Sequence, residues 1–254
     1  MDFKDYSIDK FLYELKTDLP SPGGGSTAAL VSALAGALNS MVYSFTVDKK
    51  AFEKIDDNNK EKMIILKEKC EEFISKSIYY MEADRNTFTA LMDTFKLPKD
   101  TDEEKEHRSE MIKEKTIAAM ESPLNLAKDS LEFYDNIDFA IEFGNKNLTS
   151  DAIVAAILLH SAIESAIVNA LVNFKSLGNK EGYENIPNKC KEIIESSLLR
   201  KTEIVNSFGI YKIKAIINKF LYLIYYGFLF EILRILYIKI NYWQSGSSSS
   251  DLNS

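Results

Sequence analysis

The sequence predicts an all-α protein: a multi-helix bundle of long helices with a hydrophobic helical extension at its C-terminus. Three observations predict this. Breakers are scarce, with 10 Gly and 5 Pro in 254 residues, and several of them crowd into Pro20–Gly25, which leaves most of the chain free to stay helical. Apolar residues recur at three-to-four spacing through Met63, Leu66, Cys70, Phe73, Ile74, Ser77, Ile78 and Met81, the signature of one buried helix face. No segment alternates apolar and polar residues with period two, so no sheet is expected.

The elements follow in order. Ser7 can cap a short helix that carries Ile8, Phe11, Leu12 and Leu15 on one side. After the loop Leu19–Gly25, a run of small and apolar residues from Ser26 to Phe45 predicts a buried helix that neighbours approach closely. It is too rich in Ala, Ser and Gly for a good membrane span. A long helix is expected from Asn58 to Phe95, ended by Leu97-Pro98. Thr101 then caps a helix with acids in its first turn, expected to reach Glu121 and to kink or break at Pro123. A further helix is expected to reach Tyr134. The next turn contains Gly144-Asn145, and Thr149 or Ser150 should cap a strongly apolar helix that Gly178 ends as a C′ glycine. The last helix of the body spans about 185–206.

From Gly209 the composition changes abruptly to Ile, Leu, Tyr and Phe, then to a Ser-rich end. Two regions are therefore predicted, residues 1–208 as the helical domain and 209–254 as the extension. Phe220–Phe230 is uninterrupted apolar sequence, shorter than the roughly 20 residues that span a bilayer. Lysines flank it and Trp243 follows, so membrane contact by residues 212–240 is one reading and a non-native extension is the other.

Charge and cysteine content narrow the function. The formal net charge is −7, and Lys212, Lys214, Lys219, Arg234 and Lys239 lie in the extension, so the body is more acidic still. General nucleic-acid binding needs a positive footprint and is not expected. Cys70 and Cys190 make no disulfide framework, no Cys/His cluster suggests a metal, and the polar N-terminus does not read as a signal peptide. A cytoplasmic location is expected.

The most informative local signal is Ser21-Pro22-Gly23-Gly24-Gly25-Ser26. Glycine amides can approach a ligand closely, and a helix that starts at Ser26 points free N–H groups into the loop. A tight connector before a packed helix would read the same way. No Gly-Lys-Ser/Thr follows, so it is not a P-loop, and no strand precedes it, which disfavours a dinucleotide fingerprint.

This loop followed by an Ala-rich helix resembles the start of the formiminotransferase-cyclodeaminase C-terminal domain family. Further patches agree in order: Asp84-Arg-Asn-Thr-Phe88, Phe95-Lys-Leu-Pro-Lys99, Ser122-Pro-Leu124, Gly144-Asn145, Ser150-Asp151-Ala152, and Asn169 with Asn173. The resemblance covers about residues 5–206. It implies a cyclodeaminase-like all-helical domain that forms a homodimer and acts on tetrahydrofolate one-carbon adducts. The reaction would be cyclisation of 5-formimino-tetrahydrofolate to the 5,10-methenyl compound with loss of ammonia, or methenyl-tetrahydrofolate cyclohydrolase activity. It implies a folate derivative as substrate, and no metal or cofactor beyond it. Ser165 departs from the small residue, usually Gly, expected at its place, and the extension has no counterpart.

Both reactions need a carboxylate for proton transfer. Asp84 and Asp151 are the candidate acid/base groups; read without the resemblance, Asp84 is a solvated helix acid and Asp151 a helix-dipole partner. Asn169 and Asn173 are four apart and share a face of an apolar helix, so their amides need partners, either a pterin edge or another helix. Substrate contacts are expected from Pro22, Gly23, Gly24, Gly25, Ser26, Asn145 and Ser150. Lys96 is expected to bind the folate glutamate tail, and Lys99 to bind that tail or orient the reacting group. A non-enzymatic helical partner-binding protein is the competing reading; it expects the glycine loop to lie away from Asp84 and Asn169.

Overall fold

A computed structural model of the 254-residue chain describes residues 1–209. The chain divides into two units, 1–204 and 205–254. The extension expected from residue 209, and the membrane contact expected of residues 212–240, lie outside the described residues. Among the described residues there are helices and no strand.

The elements are α1 (Ile8–Leu15), α2 (Gly24–Ser44), α3 (Lys50–Glu53), α4 (Asp57–Thr94), α5 (Asp102–Glu132), α6 (Tyr134–Phe143), α7 (Thr149–Ser176) and α8 (Ile186–Ser207). Caps fix several starts. Ser7 accepts from the Lys10 amide, Asp56 from the Asn59 amide, and Thr101 forms a full capping box with Glu104. Each satisfies amides that a helix start leaves unpaired. The short α3 carries no apolar period long enough to announce it.

Helix α2 is the axis of the bundle, packed against α4 on one side and α7 on the other. Its small residues allow this. A methyl group at Gly36 would stand 2.9 Å from both Ile74 and Phe73 of α4, so α4 approaches more closely than any side chain there would permit. Helix α5 closes the layer by packing on both α4 and α7. Helices α2 and Lys146–Ser176 are long and apolar enough to cross a membrane, yet more than half of each apolar stretch is buried among other helices.

The core is not purely apolar. Ser32, Ser77 and Ser130 hydrogen-bond one another at 2.9 and 3.2 Å. Further along α2, Asn39 donates to the Asn136 side-chain oxygen at 2.9 Å, Tyr43 donates to the same oxygen at 2.6 Å, and Asn136 donates to the Leu66 carbonyl. These bonds offset the desolvation of the buried polar groups. Burial pushes the Cys70 thiol beside them up to about 12, so it stays protonated.

Three local expectations are corrected. Helix α5 runs through Pro123 without a break, because the carbonyl that proline leaves unpaired finds another donor, described below. Neither Thr149 nor Ser150 caps α7. Thr149 is already helical and its hydroxyl donates to the Lys146 carbonyl, while Asn145 caps the preceding 3-10 turn by accepting from the Asn147 amide. Helix α7 ends at Ser176 with Leu177 extended, and Gly178 lacks the left-handed backbone of a C′ glycine.

Candidate active site

The start of α2 meets the C-terminal third of α4. The Ser26 amide and the Ser26 hydroxyl both donate to Asp84 Oδ2, each at 2.8 Å, and the hydroxyl also lies 3.3 Å from the Met81 carbonyl. The amide is one of the donors a helix start leaves free, so the carboxylate acts as a cap supplied from another helix. Ser26 is fully buried. Desolvation raises the Asp84 pKa above the ordinary carboxylate value, against the lowering effect of the two Ser26 bonds.

Gly25 and, less tightly, Gly24 leave no room for a side chain. A methyl group at Gly25 would stand 1.9 Å from Asp84 Oδ1, and one at Gly24 would stand 3.3 Å from the Asn169 amide. Gly23 has nothing within 4 Å of such a group. Pro22 is buried just before them.

Asn169 and Asn173 come from the last turns of α7. Asn169 donates to the Ser165 carbonyl at 2.8 Å. Asn173 donates to the Ala119 carbonyl of α5 at 2.8 Å and lies 3.2 Å from the Asn169 carbonyl. Ala119 is four residues before Pro123, so its carbonyl is the one that an ordinary residue at 123 would bond through its N–H. The proline frees that carbonyl and Asn173 satisfies it. Pro22–Ser26, Asp84, Asn169 and Asn173 thus form one ring of α2, α4, α5 and α7.

The other sequence-predicted residues lie elsewhere in the subunit. Asn145 sits at the far end of α2: its amide donates to Thr46 Oγ1 at 2.8 Å, and its side chain donates to the Phe45 carbonyl. Ser150 and Asp151 occupy the first turn of α7, about 27 Å along that helix from Asn169 at a rise of about 1.5 Å per residue. Lys96 is ion-paired with Asp93 at 2.7 Å on an exposed surface, and Lys99 is exposed in the α4–α5 loop.

Sequence reasoning missed that Ala119 and Pro123 belong with Asn173. The available signal was a mid-helix proline in register with a buried-face asparagine. A groove of about 480 Å³ lined by Leu66, Phe73, Lys76, Asp129, Phe133 and Asn136 holds none of the ring residues. Its Asp129 carboxylate is already taken by Lys76 and Tyr80.

Comparison with known proteins bears on this arrangement. A family model described as Formiminotransferase-cyclodeaminase matches residues 7–192. A methenyltetrahydrofolate cyclohydrolase from Methylorubrum extorquens is 34% identical over 174 residues, 68% of this chain and 82% of that protein. The formimidoyltransferase-cyclodeaminase of Rattus norvegicus is 28% identical over 203 residues, 80% of this chain but 37% of the rat protein's length. The solved structure of formiminotetrahydrofolate cyclodeaminase from Thermotoga maritima superposes with a TM-score of 0.68 at 25% identity, covering 81% of this chain and 98% of that one.

Proposed function

Because the chain belongs to the formiminotransferase-cyclodeaminase family, we propose that it is an enzyme of folate one-carbon chemistry that forms or hydrolyses 5,10-methenyltetrahydrofolate. The observation that carries this reading is the desolvated Asp84 carboxylate, held by Ser26 against Gly25 of a loop whose Gly24 lies against Asn169. A helical adaptor has no need to bring those three segments together.

In cyclodeamination the N10 nitrogen attacks the carbon of the protonated formimino group (–CH=NH2+), and the resulting amino group leaves as ammonia. Asp84 takes the proton from N10 and returns it to the departing nitrogen, so the carboxylate ends as it began. In hydrolysis the same carboxylate takes a proton from the water that attacks the methenyl carbon. A raised pKa suits both roles, since the group must hold and release a proton near the working pH. Asn169 supplies an amide edge for the pterin, and the exposed glycine at position 24 lets the ring approach the backbone.

The enzyme works as a homodimer in this reading. Asp151 and Asn169 are about five turns apart and so share one face of α7. Beside that face runs an exposed stripe of Val154, Ile157, Val168 and Val172, 45%, 39%, 60% and 57% exposed, with the small Ser161 and Ser165 between them. A two-fold axis across α7 near its midpoint, perpendicular to the helix, sets the helix antiparallel to its copy. The stripe is then buried and the partner subunit's Asp151 comes to the ring of Asp84. In this way the two clusters of one subunit become the two halves of one site.

The test supplies purified protein with 5-formimino-tetrahydrofolate and, separately, with 5,10-methenyl-tetrahydrofolate. Methenyl absorbance rises in the first or falls in the second, and folded protein that does neither refutes the reading. Val168→Arg should convert the dimer to monomer in sedimentation and abolish turnover. A monomeric wild type with full activity refutes the shared site.

A further inference from the structure

We propose that the face of the α4–α5 hairpin above Asp84 is the lane for the arylamide-carboxylate arm of the substrate, with Arg108 as its carboxylate anchor. The inference rests on the folate reading of the Asp84 site and names residues for the part of the substrate that does not react.

The lane is a continuation of a packing face beyond the helices that cover it. Below Asp84, one side of α4 is buried against α2 through Cys70, Phe73, Ser77 and Met81. Helix α2 begins at Gly24, level with Asp84, while α4 runs on to Thr94. Beyond that level Phe88, Met92 and Phe95 are 37%, 36% and 49% exposed, while Leu91 between them stays buried at 7%. These residues follow Asp84 at three-to-four spacing and share its face. Helix α5 behaves in the same way above Ala119, where Arg108, Met111 and Ile112 are half-buried.

Arg108 is placed and only partly used. Its guanidinium lies 5.9 Å from the Phe95 ring centroid and donates to the Phe95 carbonyl at 3.3 Å. Its Nε is buried with no hydrogen-bond partner. Around it α5 is acidic, with Glu103, Glu104, Glu106 and Glu110 nearby in sequence, yet no carboxylate pairs with it among the described residues. A guanidinium held at the end of an apolar lane, with terminal N–H groups beyond its one bond to the Phe95 carbonyl, fits a planar carboxylate. Phe95 stands about 16 Å along α4 from Asp84. An arylamide bearing a carboxylate extends on the order of 10 Å from the reacting nitrogen by ordinary bond lengths, so engagement requires the flexible arginine side chain to swing from the Phe95 carbonyl toward Asp84. Lys96, paired with Asp93 on the surface, is less well placed for the first carboxylate.

The experiment compares methenyl-tetrahydrofolate with methenyl-tetrahydropteroate, which lacks the glutamate, on wild type, R108A and R108K. R108A should raise KM for the glutamate-bearing substrate about tenfold or more, the usual effect of losing a charge-assisted hydrogen bond, with kcat little changed. KM for the pteroate should stay the same, and R108K should restore part of the difference. F88A should raise KM for both substrates. Unchanged KM in R108A, or equal rises for both substrates, overturns the assignment, as does a change of oligomeric state in sedimentation, which would make the stripe a subunit contact. If wild type turns over neither compound, equilibrium binding of 5-formyl-tetrahydrofolate still decides. No binding overturns both readings, and binding unaffected by R108A overturns the lane alone.

Discussion

Removing the Asn173 amide should destabilise the bundle, and the size of the loss should depend on Pro123, fifty residues away in sequence. Asn173 donates at 2.8 Å to the Ala119 carbonyl, and Pro123 has no N–H to offer that carbonyl. In Asn173→Ala the carbonyl is left without a protein donor. An unsatisfied buried acceptor costs about 1–3 kcal/mol; Asn173 is only half-buried, which places the expected loss at about 1–2 kcal/mol. In a Pro123→Ala background the N–H of residue 123 can bond the Ala119 carbonyl in the ordinary helical way. The same Asn173→Ala change should then remove a redundant donor and cost about 0.5 kcal/mol or less. The assay is a double-mutant cycle in urea, with all four proteins at one concentration because assembly contributes to apparent stability. A coupling near 1 kcal/mol is expected. If Asn173→Ala is equally destabilising in both backgrounds, the proline and the asparagine are independent and the account is wrong.

Other outcomes follow from the same site. Asp84→Asn should lower turnover at least a hundredfold, the usual contribution of a positioned proton-transfer group, while leaving the protein at least as stable as wild type, because it removes a desolvated charge yet keeps an oxygen for the Ser26 amide. Rate assays and denaturation curves on one preparation test the pair of effects together. Since the Asp84 pKa is raised in the folded state, that state binds the proton more tightly than the unfolded chain. The wild type should therefore lose stability relative to Asp84→Asn as pH rises through the folded pKa, and keep parity below the unfolded value; a stability difference that is flat across pH contradicts the raised pKa. The acid limb of kcat/KM should likewise fall above the ordinary aspartate value of about 3.9. Alanine at Gly25, Gly24 and Gly23 should rank in that order of damage, following contacts of 1.9 Å, 3.3 Å and none within 4 Å. Thermal midpoints and rates measure it, and a Gly23→Ala variant as impaired as Gly25→Ala would contradict the steric account.

The sequence by itself determined the long helices and the caps at Ser7 and Thr101, because hydrophobic period and capping chemistry are local. The α2 run of small residues announced close packing, and Thr101 with Glu104 announced its own cap. The glycine loop, Asp84 and Asn169 were legible as candidates through the order of their motifs. Tertiary structure alone decided which candidates meet. It joined Ser26 to Asp84 across α2 and α4, and it carried Asn145, Ser150 and Asp151 to the opposite end of the subunit. It also let α5 pass through Pro123, against the local rule. The reason is the same in each case: a helix fixes the spacing of its own residues, whereas contact between helices depends on where each one starts, how closely small residues let its neighbour approach, and which distant donor reaches a carbonyl that the local backbone leaves free.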